Sequence, residues 1–290
     1  MSTAAILLCA GKGTRMNDGS KSKVCFDCAD VPVIKRIISS MRQGVVTRFV
    51  VVVGHKAESV MACLDGEPGI VYAYQKDQNG TGNAALCGLN ALRSIGYAGP
   101  AVISMGDKII NPAVISGLLE KADNSKAVWG VQSVAANYNG GRVVVKDGKP
   151  YGVVELTDAA FMTLADLPQE DYADNLQKIG LNAKKAQNVL NLAKEKTPEK
   201  TKRLVDKDFT AEEILSTPFS NAGLYCLDVD QAIDATLNIG EAAKDCRTIK
   251  KTVLLALIEE IRIRNSKKIE IRFRFENLYR QALEELGNAG

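Results

Sequence analysis

The chain has 290 residues, enough for one large domain or two small ones, and 46% of them are hydrophobic. Its 37 basic and 34 acidic residues leave a net charge of +3, and no apolar run is long enough to span a membrane, so we expect neither a nucleic-acid nor a membrane partner. Seven cysteines, an odd number in a chain of this length, are typical of reduced thiols and predict a cytoplasmic protein. The single histidine, His55, excludes His-rich zinc sites and disfavours Ser-His-Asp catalysis.

In the first half of the chain, short apolar runs alternate with helical patterns. Buried strands are predicted at residues 4–9, 49–53, 71–74 and 101–105. Helices are predicted at residues 31–42, 57–64, 82–92 and 112–122, the last of them starting at an Asn111-Pro112 cap. This alternation predicts crossover units and a largely parallel sheet. Ligands bind such sheets at the carboxyl ends of the strands, which directs attention to the loops after Cys9, Tyr74 and Met105.

The pattern changes beyond residue 127. Strands are predicted at 127–134, 143–146, 151–156 and 224–227, with hairpin-type turns at 139–141 and 147–148, so the sheet should be mixed here. Residues 166–217 are polar and mostly helical: apolar residues follow helical spacing over 172–196, and Thr210 with Glu213 predicts a capping box. Further helices are predicted at 252–262 and 275–286. We therefore expect one domain over residues 1–290, with a helical insertion at about 160–217 and C-terminal helices at about 245–290.

One motif carries most of the chemistry. The first strand runs directly into Ala10-Gly11-Lys12-Gly13-Thr14-Arg15-Met16. Its glycines allow close backbone approach and present N–H groups to phosphate oxygens, and Arg15 and Lys23 add cationic donors. Met16 replaces the third glycine of a dinucleotide fingerprint, and residues 19–22 lack the spacing of a kinase P-loop. The motif predicts phosphate binding, with an ordinary glycine turn as the alternative.

Residues 8–16, together with Lys23, resemble the signature of the sugar-1-phosphate nucleotidyltransferases, and most closely the uridylyltransferase part of enzymes acting on N-acetylglucosamine-1-phosphate. Further matches follow in the same order along the chain, and the likeness covers about residues 3–158 and 219–228. It implies a three-layer α/β/α Rossmann-like fold of glycosyltransferase-A type, with a mixed, mainly parallel sheet. The positions matching the family's nucleotide site are Ala10, Gly11, Gly13, Gln75, Gln78, Gly80 and Thr81, and those matching its sugar site are Gly141, Glu155 and Asn221.

Three more positions match the catalytic residues of the family: Arg15, Lys23 and Asp107. Asp107 follows a predicted strand in Gly106-Asp107, and its carboxylate is a hard oxygen ligand of the kind that Mg²⁺ prefers; a turn aspartate is the alternative. The amides at 75 and 78 and the loop at 80–82 suit the edge of a flat base, uracil in the family, although Thr81 is also typical of a helix N-cap. Glu155 and Asn221 offer partners for sugar hydroxyls or an acetamido group, with plain surface polarity as the alternative.

The resemblance implies Mg²⁺-dependent transfer of a nucleotide from a nucleoside triphosphate to a sugar-1-phosphate, with UTP and N-acetylglucosamine-1-phosphate as the closest pair. Such a reaction needs no general base, because the attacking phosphate oxygen is already an anion. Two alternatives stay open: another phosphorylated acceptor, such as a different sugar phosphate, a phospho-alcohol or a molybdenum cofactor, and a non-catalytic regulator that binds nucleotide-sugars. The second alternative is motivated by Lys108, which replaces an apolar residue of the family, and by a second metal ligand for which Asn265 is only a weak candidate.

The segment 166–217 has no counterpart in the compact family domain. It predicts a dimerisation arm, and hence a homo-oligomer, or else a lid or a platform for a partner. The hexapeptide repeats of the acetyltransferase that follows this domain in bifunctional relatives do not occur here, which predicts either a monofunctional enzyme or an excised domain.

Overall fold

The computed structural model describes residues 3–13, 20–122, 127–204, 207–234, 258–264 and 268–273. The chain divides into two compact units. The first unit comprises residues 1–130 and 223–290, and the second unit comprises residues 131–222.

The predicted alternation of strands and helices is confirmed over the first 122 residues. Helix α1 starts two residues later than predicted, because Val31 and Pro32 pair with Cys28 and Asp27 in a short ladder. The Asn111 cap is also confirmed, since its Oδ1 accepts the Ala113 N–H at 2.9 Å. The elements in order are β1 (Ala4–Leu8), a 3₁₀ turn (Lys23–Cys25), β2 (Asp27–Cys28), β3 (Val31–Pro32), α1 (Val33–Gln43), β4 (Arg48–Val53), α2 (Ala57–Cys63), β5 (Ile70–Tyr74), α3 (Thr81–Ser94), β6 (Pro100–Met105) and α4 (Pro112–Ala122).

Strand β1 lies at the centre of the parallel part of the sheet. It pairs in parallel with β4 and with β6, and β4 pairs in parallel with β5. All five residues of β1 are buried, as expected for a parallel strand covered on both faces, and this explains its unbroken apolar run. Leu8 stands opposite Val52 on one side and Met105 on the other, so β1, β4 and β6 end at the same edge. The loops singled out from the sequence therefore begin side by side.

The sheet becomes mixed where later strands join it. These are β7 (Ala127–Ser133), β8 (Arg142–Lys146), β9 (Lys149–Val154) and β12 (Phe219–Asp228). In the described part of the chain the order is β5-β4-β1-β6-β12-β8-β9, and β7 also pairs with β12. Strand β12 is antiparallel to β6 and to β8, so the predicted α/β fold with a mixed, mainly parallel sheet flanked by helices is confirmed.

Two turns predicted in this region behave differently. Asp147 and Gly148 both have positive φ, 54° and 72°, and join β8 to β9 in the predicted hairpin. The predicted hairpin turn at 139–141 is wrong, because β7 pairs with β12 and residues 134–141 form a loop leading into β8. The predicted strand at 151–156 also ends early: β9 stops at Val154, and Leu156 begins a helix.

The insertion is built from short helices and one unpredicted hairpin. The apolar spacing over 172–196 suggested continuous helix, but Gly180 at φ 76° separates two helices, and Asn182 caps the second through the Lys185 N–H at 3.0 Å. The capping box of Thr210 and Glu213 is confirmed. The elements are α5 (Leu156–Met162), a 3₁₀ turn (Gln169–Asp171), α6 (Tyr172–Lys178), α7 (Ala183–Glu195), the antiparallel strands β10 (Thr201–Leu204) and β11 (Lys207–Thr210), and α8 (Ala211–Leu215).

The helix predicted at 252–262 is wrong over its described part. Residues Ile258–Arg264 form strand β13, which pairs antiparallel with β14 (Lys268–Phe273). Isoleucines stand two residues apart at 261 and 263 and again at 269 and 271, and β-branched residues in that alternating pattern favour a strand. The helix predicted at 275–286 and Asn265 lie outside the described residues. None of the described helices has the length and hydrophobicity that crossing a membrane requires.

Candidate active site

A pocket opens in the first unit where β1, β5 and β6 end. Leu8, Ala84 and Met105, which were not predicted as site residues, form part of its lining. Gly13 lies beside the pocket with φ 62°, and a Cβ at this position would come 3.5 Å from the Lys23 side chain. Arg15 lies outside the described residues. The predicted site residues that line the pocket are Ala10, Gly11, Lys23, Gln75, Gln78, Gly80 and Thr81.

Gly106 brings the end of β6 against the end of β1. Its N–H donates to the Leu8 carbonyl at 3.0 Å. A Cβ on Gly106 would stand 2.4 Å from Cys9 Sγ and 3.0 Å from the Leu8 carbonyl oxygen, closer than a side chain allows. A glycine is therefore required where the two strands meet, and this close approach sets Asp107 next to the loop that follows β1.

Lys23 and Asp107 form an ion pair at this junction. Lys23 Nζ lies 2.6 Å from Asp107 Oδ2, although 84 residues separate the two in sequence. Lys23 begins a 3₁₀ turn whose next residues, Val24 and Cys25, are buried and anchor it. The two charged side chains remain 31% and 39% exposed, so a phosphate or a metal ion from solvent can reach them.

Side-chain amides connect the loops around the pocket. The Ala10 carbonyl accepts from Gln78 Nε2 at 3.0 Å and from the His55 N–H at 3.3 Å. Gln75 is buried, and its Nε2 donates to the Gly80 carbonyl at 3.2 Å and to Asn83 Oδ1 at 2.8 Å. These bonds fix the loop after β1 and the loop before α3.

The start of α3 shows two further features of the loop that precedes it, residues 75–80. Thr81 is the first residue of α3, and Gly80, at φ 95°, takes the N-cap position without a side-chain cap. The role of Asn83 was missed. No local pattern in the sequence indicates this role, because the contact depends on the loop after β5 folding back on the start of α3.

The three predicted sugar-binding residues lie together in the second unit. The Gly141 carbonyl accepts the Asn221 N–H at 2.9 Å. A Cβ on Gly141 would come 2.6 Å from Val153 Cγ1 and 3.5 Å from Glu155 Oε1. Glu155 is exposed and Asn221 is buried. Gly141 is itself buried, and the absence of a side chain there leaves room for Val153 and brings its backbone close to the Glu155 carboxylate.

Arg142 supports the loop before Gly141, a role the sequence reasoning did not assign. Its side chain is fully buried, and NH1 donates to the Tyr138 carbonyl at 2.8 Å and to the Gly140 carbonyl at 2.9 Å. Burial lowers the pKa of Arg142, because a charged guanidinium is poorly solvated there. Two backbone carbonyls therefore accept the hydrogen bonds that water would accept if the guanidinium were exposed.

The cysteines near the site are neutral thiols. Burial raises the pKa of Cys9 well above its usual range, and burial together with the neighbouring Cys63 raises the pKa of Cys25 to about 12. Cys28, the other half of the lone CxxC, is exposed. Within the described ranges there is no group of three or more His, Cys, Asp or Glu side chains that could hold a metal ion. Asp107, paired with the pocket residue Lys23, places one carboxylate beside the pocket.

Comparison with known proteins agrees with this geometry. The family described as the MobA-like NTP transferase domain matches residues 5–151, just over half of the chain. The chain belongs to the MobA-like NTP transferase family. The match ends within β9, so the family covers the pocket-forming strands and stops before the insertion.

Relatives of this MobA-like chain include the bifunctional protein GlmU of Geotalea uraniireducens, 33% identical over 160 residues, which are 54% of this chain and 34% of that protein. GlmU of Bordetella parapertussis is 33% identical over 159 residues, with 53% and 34% covered. The chain thus matches about a third of the length of these proteins.

Solved structures share the fold. A UDP-glucose pyrophosphorylase complexed with UDP-glucose covers 95% of this chain, and the chain covers 91% of it, with a TM-score of 0.55 and 15% identity. A putative glucose-1-phosphate thymidylyltransferase from Bacillus anthracis gives a TM-score of 0.51 at 14% identity, with 82% and 76% covered. At these identities the likeness supports the fold alone, and for the first of these structures it extends beyond the residues that the family model matches.

Proposed function

We propose that the protein transfers a nucleotide from a nucleoside triphosphate to a sugar-1-phosphate, with UTP and N-acetylglucosamine-1-phosphate as the substrates that form UDP-N-acetylglucosamine and pyrophosphate. The observation that carries the proposal is the Lys23–Asp107 ion pair, which sets a cation and a carboxylate 2.6 Å apart beside the glycine loop. Family membership and the GlmU relatives support the same reaction.

The pocket offers groups for each part of a nucleotide. Gly11 and Gly13 follow a strand end, where backbone N–H groups suit phosphate oxygens. Lys23 adds a positive charge, and the proposal assigns Arg15 the same task. Gly80 and Thr81 lie at the start of α3, where free backbone groups suit a base edge and favour negative charge nearby. Gln75 and Gln78 hold these two loops at a fixed spacing.

The reaction is a displacement at phosphorus. A phosphate oxygen of the sugar-1-phosphate attacks the α-phosphorus, the bond from that phosphorus to its bridging oxygen breaks, and pyrophosphate leaves with the electron pair. No proton has to be removed from the nucleophile, in keeping with a pocket whose lining contains no histidine among the described residues. The protein's task is to align the phosphates and to neutralise charge, which Lys23 can do as the bridging oxygen becomes negative.

The residues present fit a divalent metal ion, and we propose Mg²⁺. Mg²⁺ is commonly held by one or two carboxylates together with substrate phosphates and water, and Asp107 supplies one partly exposed carboxylate at the pocket. Bound there, the ion would screen the charge of the phosphate oxygens. Lys23 already balances the charge of Asp107, so the pair can receive a metal and an anion together without a large change in net charge.

The proposed acceptor residues are those gathered around Gly141. Glu155 Oε1 lies 3.5 Å from where a Cβ on Gly141 would stand, and this exposed carboxylate can accept from two sugar hydroxyls. The side-chain amide of Asn221 suits an acetamido group, which offers one donor and one acceptor. Together they favour an N-acetylated hexose over a small phospho-alcohol, because the hexose carries the hydroxyls and the acetamido group that these side chains can bind and the phospho-alcohol carries fewer of them.

The test is pyrophosphate release with Mg²⁺ across UTP, dTTP, CTP, ATP and GTP, each paired with N-acetylglucosamine-1-phosphate or glucose-1-phosphate. We expect turnover with UTP and the N-acetylated sugar, falling on the order of 10²-fold or more in Asp107→Asn. Asp65→Asn, which changes an exposed aspartate at the end of α2, is the matched control and should keep full turnover.

Each other outcome has a definite meaning. Turnover with another base or sugar corrects the substrate assignment and keeps the reaction. If no substrate pair releases pyrophosphate, and UDP-N-acetylglucosamine binds with an affinity that Mg²⁺ does not change, the protein would be a nucleotide-sugar sensor and not an enzyme. Full turnover in Asp107→Asn would remove the metal-binding role of Asp107.

A further inference from the structure

One short turn of the insertion contacts the loop that leads into the proposed acceptor site. This turn, residues 179–185, comprises the link between α6 and α7 together with the first three residues of α7, and it meets the loop of residues 137–141, which ends at Gly141. Both segments belong to the second unit. They are about 40 residues apart in sequence, so their contact is formed by the fold and not by local geometry.

Tyr138 is the first contact. Its hydroxyl donates to the Ile179 carbonyl. Its ring lies against Gly180, where a Cβ would come 3.3 Å from a ring carbon. On the loop side, the Arg142 guanidinium sits 5.1 Å from the centre of the same ring. The ring is therefore held between the insertion and the buried arginine that supports the loop.

Lys185 is the second contact. Its Nζ donates to the Asn139 carbonyl at 3.1 Å and to Asn139 Oδ1 at 3.3 Å. Lys185 stands in the first turn of α7, where a positive charge opposes the helix dipole. That position is electrostatically unfavourable for a lysine on its own, and the two bonds to Asn139 give the ammonium partners there.

The held loop ends at the residue that faces the acceptor. Gly141 stands two residues after Asn139, its carbonyl accepts the Asn221 N–H at 2.9 Å, and a Cβ on it would come 3.5 Å from Glu155 Oε1. A shift of the loop would therefore move the backbone of Gly141 and, through its hydrogen bond, Asn221, the two residues that are proposed to bind the sugar. The nucleotide-binding loops belong to the first unit and take no part in these contacts.

We propose that the 179–185 turn positions the 137–141 loop for acceptor binding, so that this part of the insertion sets affinity for the sugar phosphate. The proposal rests on the proposed function above. Tyr138 and Lys185 are positioning residues, because each acts on the sugar only through the backbone of Gly141.

The test measures KM for both substrates in Lys185→Met, Tyr138→Phe and the double variant. We expect KM for N-acetylglucosamine-1-phosphate to rise about three- to tenfold in each single variant, the effect of losing one hydrogen-bonding group, with KM for UTP unchanged within twofold. Lys185→Arg should restore acceptor affinity, since a guanidinium can reach the same oxygens. The effects of the single changes need not add in the double variant, because both act on one loop.

Lys184→Met is the matched control. Lys184 precedes Lys185 in the same helical turn and is exposed, so the control makes the same change of charge and size at the helix start. It should leave both KM values unchanged. Hydrogen exchange read by mass spectrometry gives a second measurement: amides of residues 137–141 should exchange faster in the double variant and not in the control.

Three results would overturn the inference in an active enzyme: an unchanged acceptor KM in the double variant, equal rises in KM for both substrates, or unchanged exchange in the loop. A wild-type protein that releases no pyrophosphate with any substrate pair is a different result. It would reject the proposed function itself, and the acceptor role of the turn would fall with it.

Discussion

Lys23→Met should separate the catalytic role of the Lys23–Asp107 pair from its structural role. Methionine keeps most of the side-chain length and removes the charge. At 2.6 Å in water the pair attracts by about 1.6 kcal/mol. Both groups are about a third exposed, and the order imposed on two side chains offsets much of this attraction, so the net contribution to folding is about 0–1 kcal/mol.

The effect on turnover should be far larger. A positioned donor that stabilises charge developing in the transition state typically contributes about 10²- to 10³-fold in rate, equivalent to about 2.7–4 kcal/mol. We therefore expect pyrophosphate release to fall by this factor in Lys23→Met, while urea unfolding shows a loss below about 1 kcal/mol. Lys23→Arg should retain part of the activity, because it keeps the charge but changes the reach.

Lys121→Met is the control for removing one lysine. Lys121 lies in the last turn of α4, outside the pocket lining, so its variant should turn over as wild type. The reasoning fails if Lys23→Met keeps turnover within threefold of wild type. It also fails if Lys23→Met lowers the free energy of unfolding by more than about 2 kcal/mol, since the lost activity would then follow from lost structure.

Three further predictions concern buried groups. Gly106→Ala should lower the free energy of unfolding by about 1–3 kcal/mol in urea, because its Cβ would meet Cys9 Sγ at 2.4 Å and a backbone oxygen at 3.0 Å. Gly141→Ala should raise the acceptor KM and leave the UTP KM unchanged, and adding Val153→Ala, which removes the atom that the new Cβ meets at 2.6 Å, should reverse the rise. Burial raises the pKa of the Cys25 thiol from 9.0 to about 12, so its contribution to stability is complete below pH 9 and is lost as pH rises toward 12. In urea unfolding at several pH values, the difference in stability between wild type and Cys25→Ser should stay constant below pH 9 and shrink above it; a difference that grows with pH would contradict the assignment.

The central sheet could be predicted from the sequence because its signals are local. A parallel strand buried on both faces must be apolar at every position, and β1 and β4 show that run directly. Helix starts are also local: Asn111 and Thr210 accept N–H groups within three residues of themselves. Because ligands bind parallel sheets at the carboxyl ends of the strands, the loop with Asp107 could be predicted as part of a binding site.

The contacts that build the site were not predictable in this way, because they depend on register between distant strands. The pairing of Lys23 with Asp107 requires Leu8 to stand opposite Met105. The bond from Gln75 to Asn83 requires the loop after β5 to fold back on the start of α3. The pattern of residues within a single segment predicts neither of these two contacts.

Two errors came from sequences that satisfy more than one pattern. In residues 258–263, isoleucines stand three apart at 258 and 261, which suits a helix, and two apart at 261 and 263, which suits a strand. Pairing with β14 decides for the strand. In residues 172–196 the apolar spacing continues through Gly180, but the positive φ of this glycine ends the helix, and the resulting turn is the one that meets Tyr138.

The two proposed binding functions come from different parts of the chain, and their construction differs accordingly. The nucleotide residues lie in loops of the first unit, fixed by backbone bonds to a buried parallel ladder that the family match covers. The acceptor residues lie in the second unit, where the loop before Gly141 depends on a turn of the insertion. Added surface segments are tolerated when they leave the buried ladder intact, because lengthening a loop costs little closure entropy. An insertion at this place can therefore reshape the acceptor site while the nucleotide loops keep their geometry, which is the division of roles expected where one transfer reaction serves different phosphorylated acceptors.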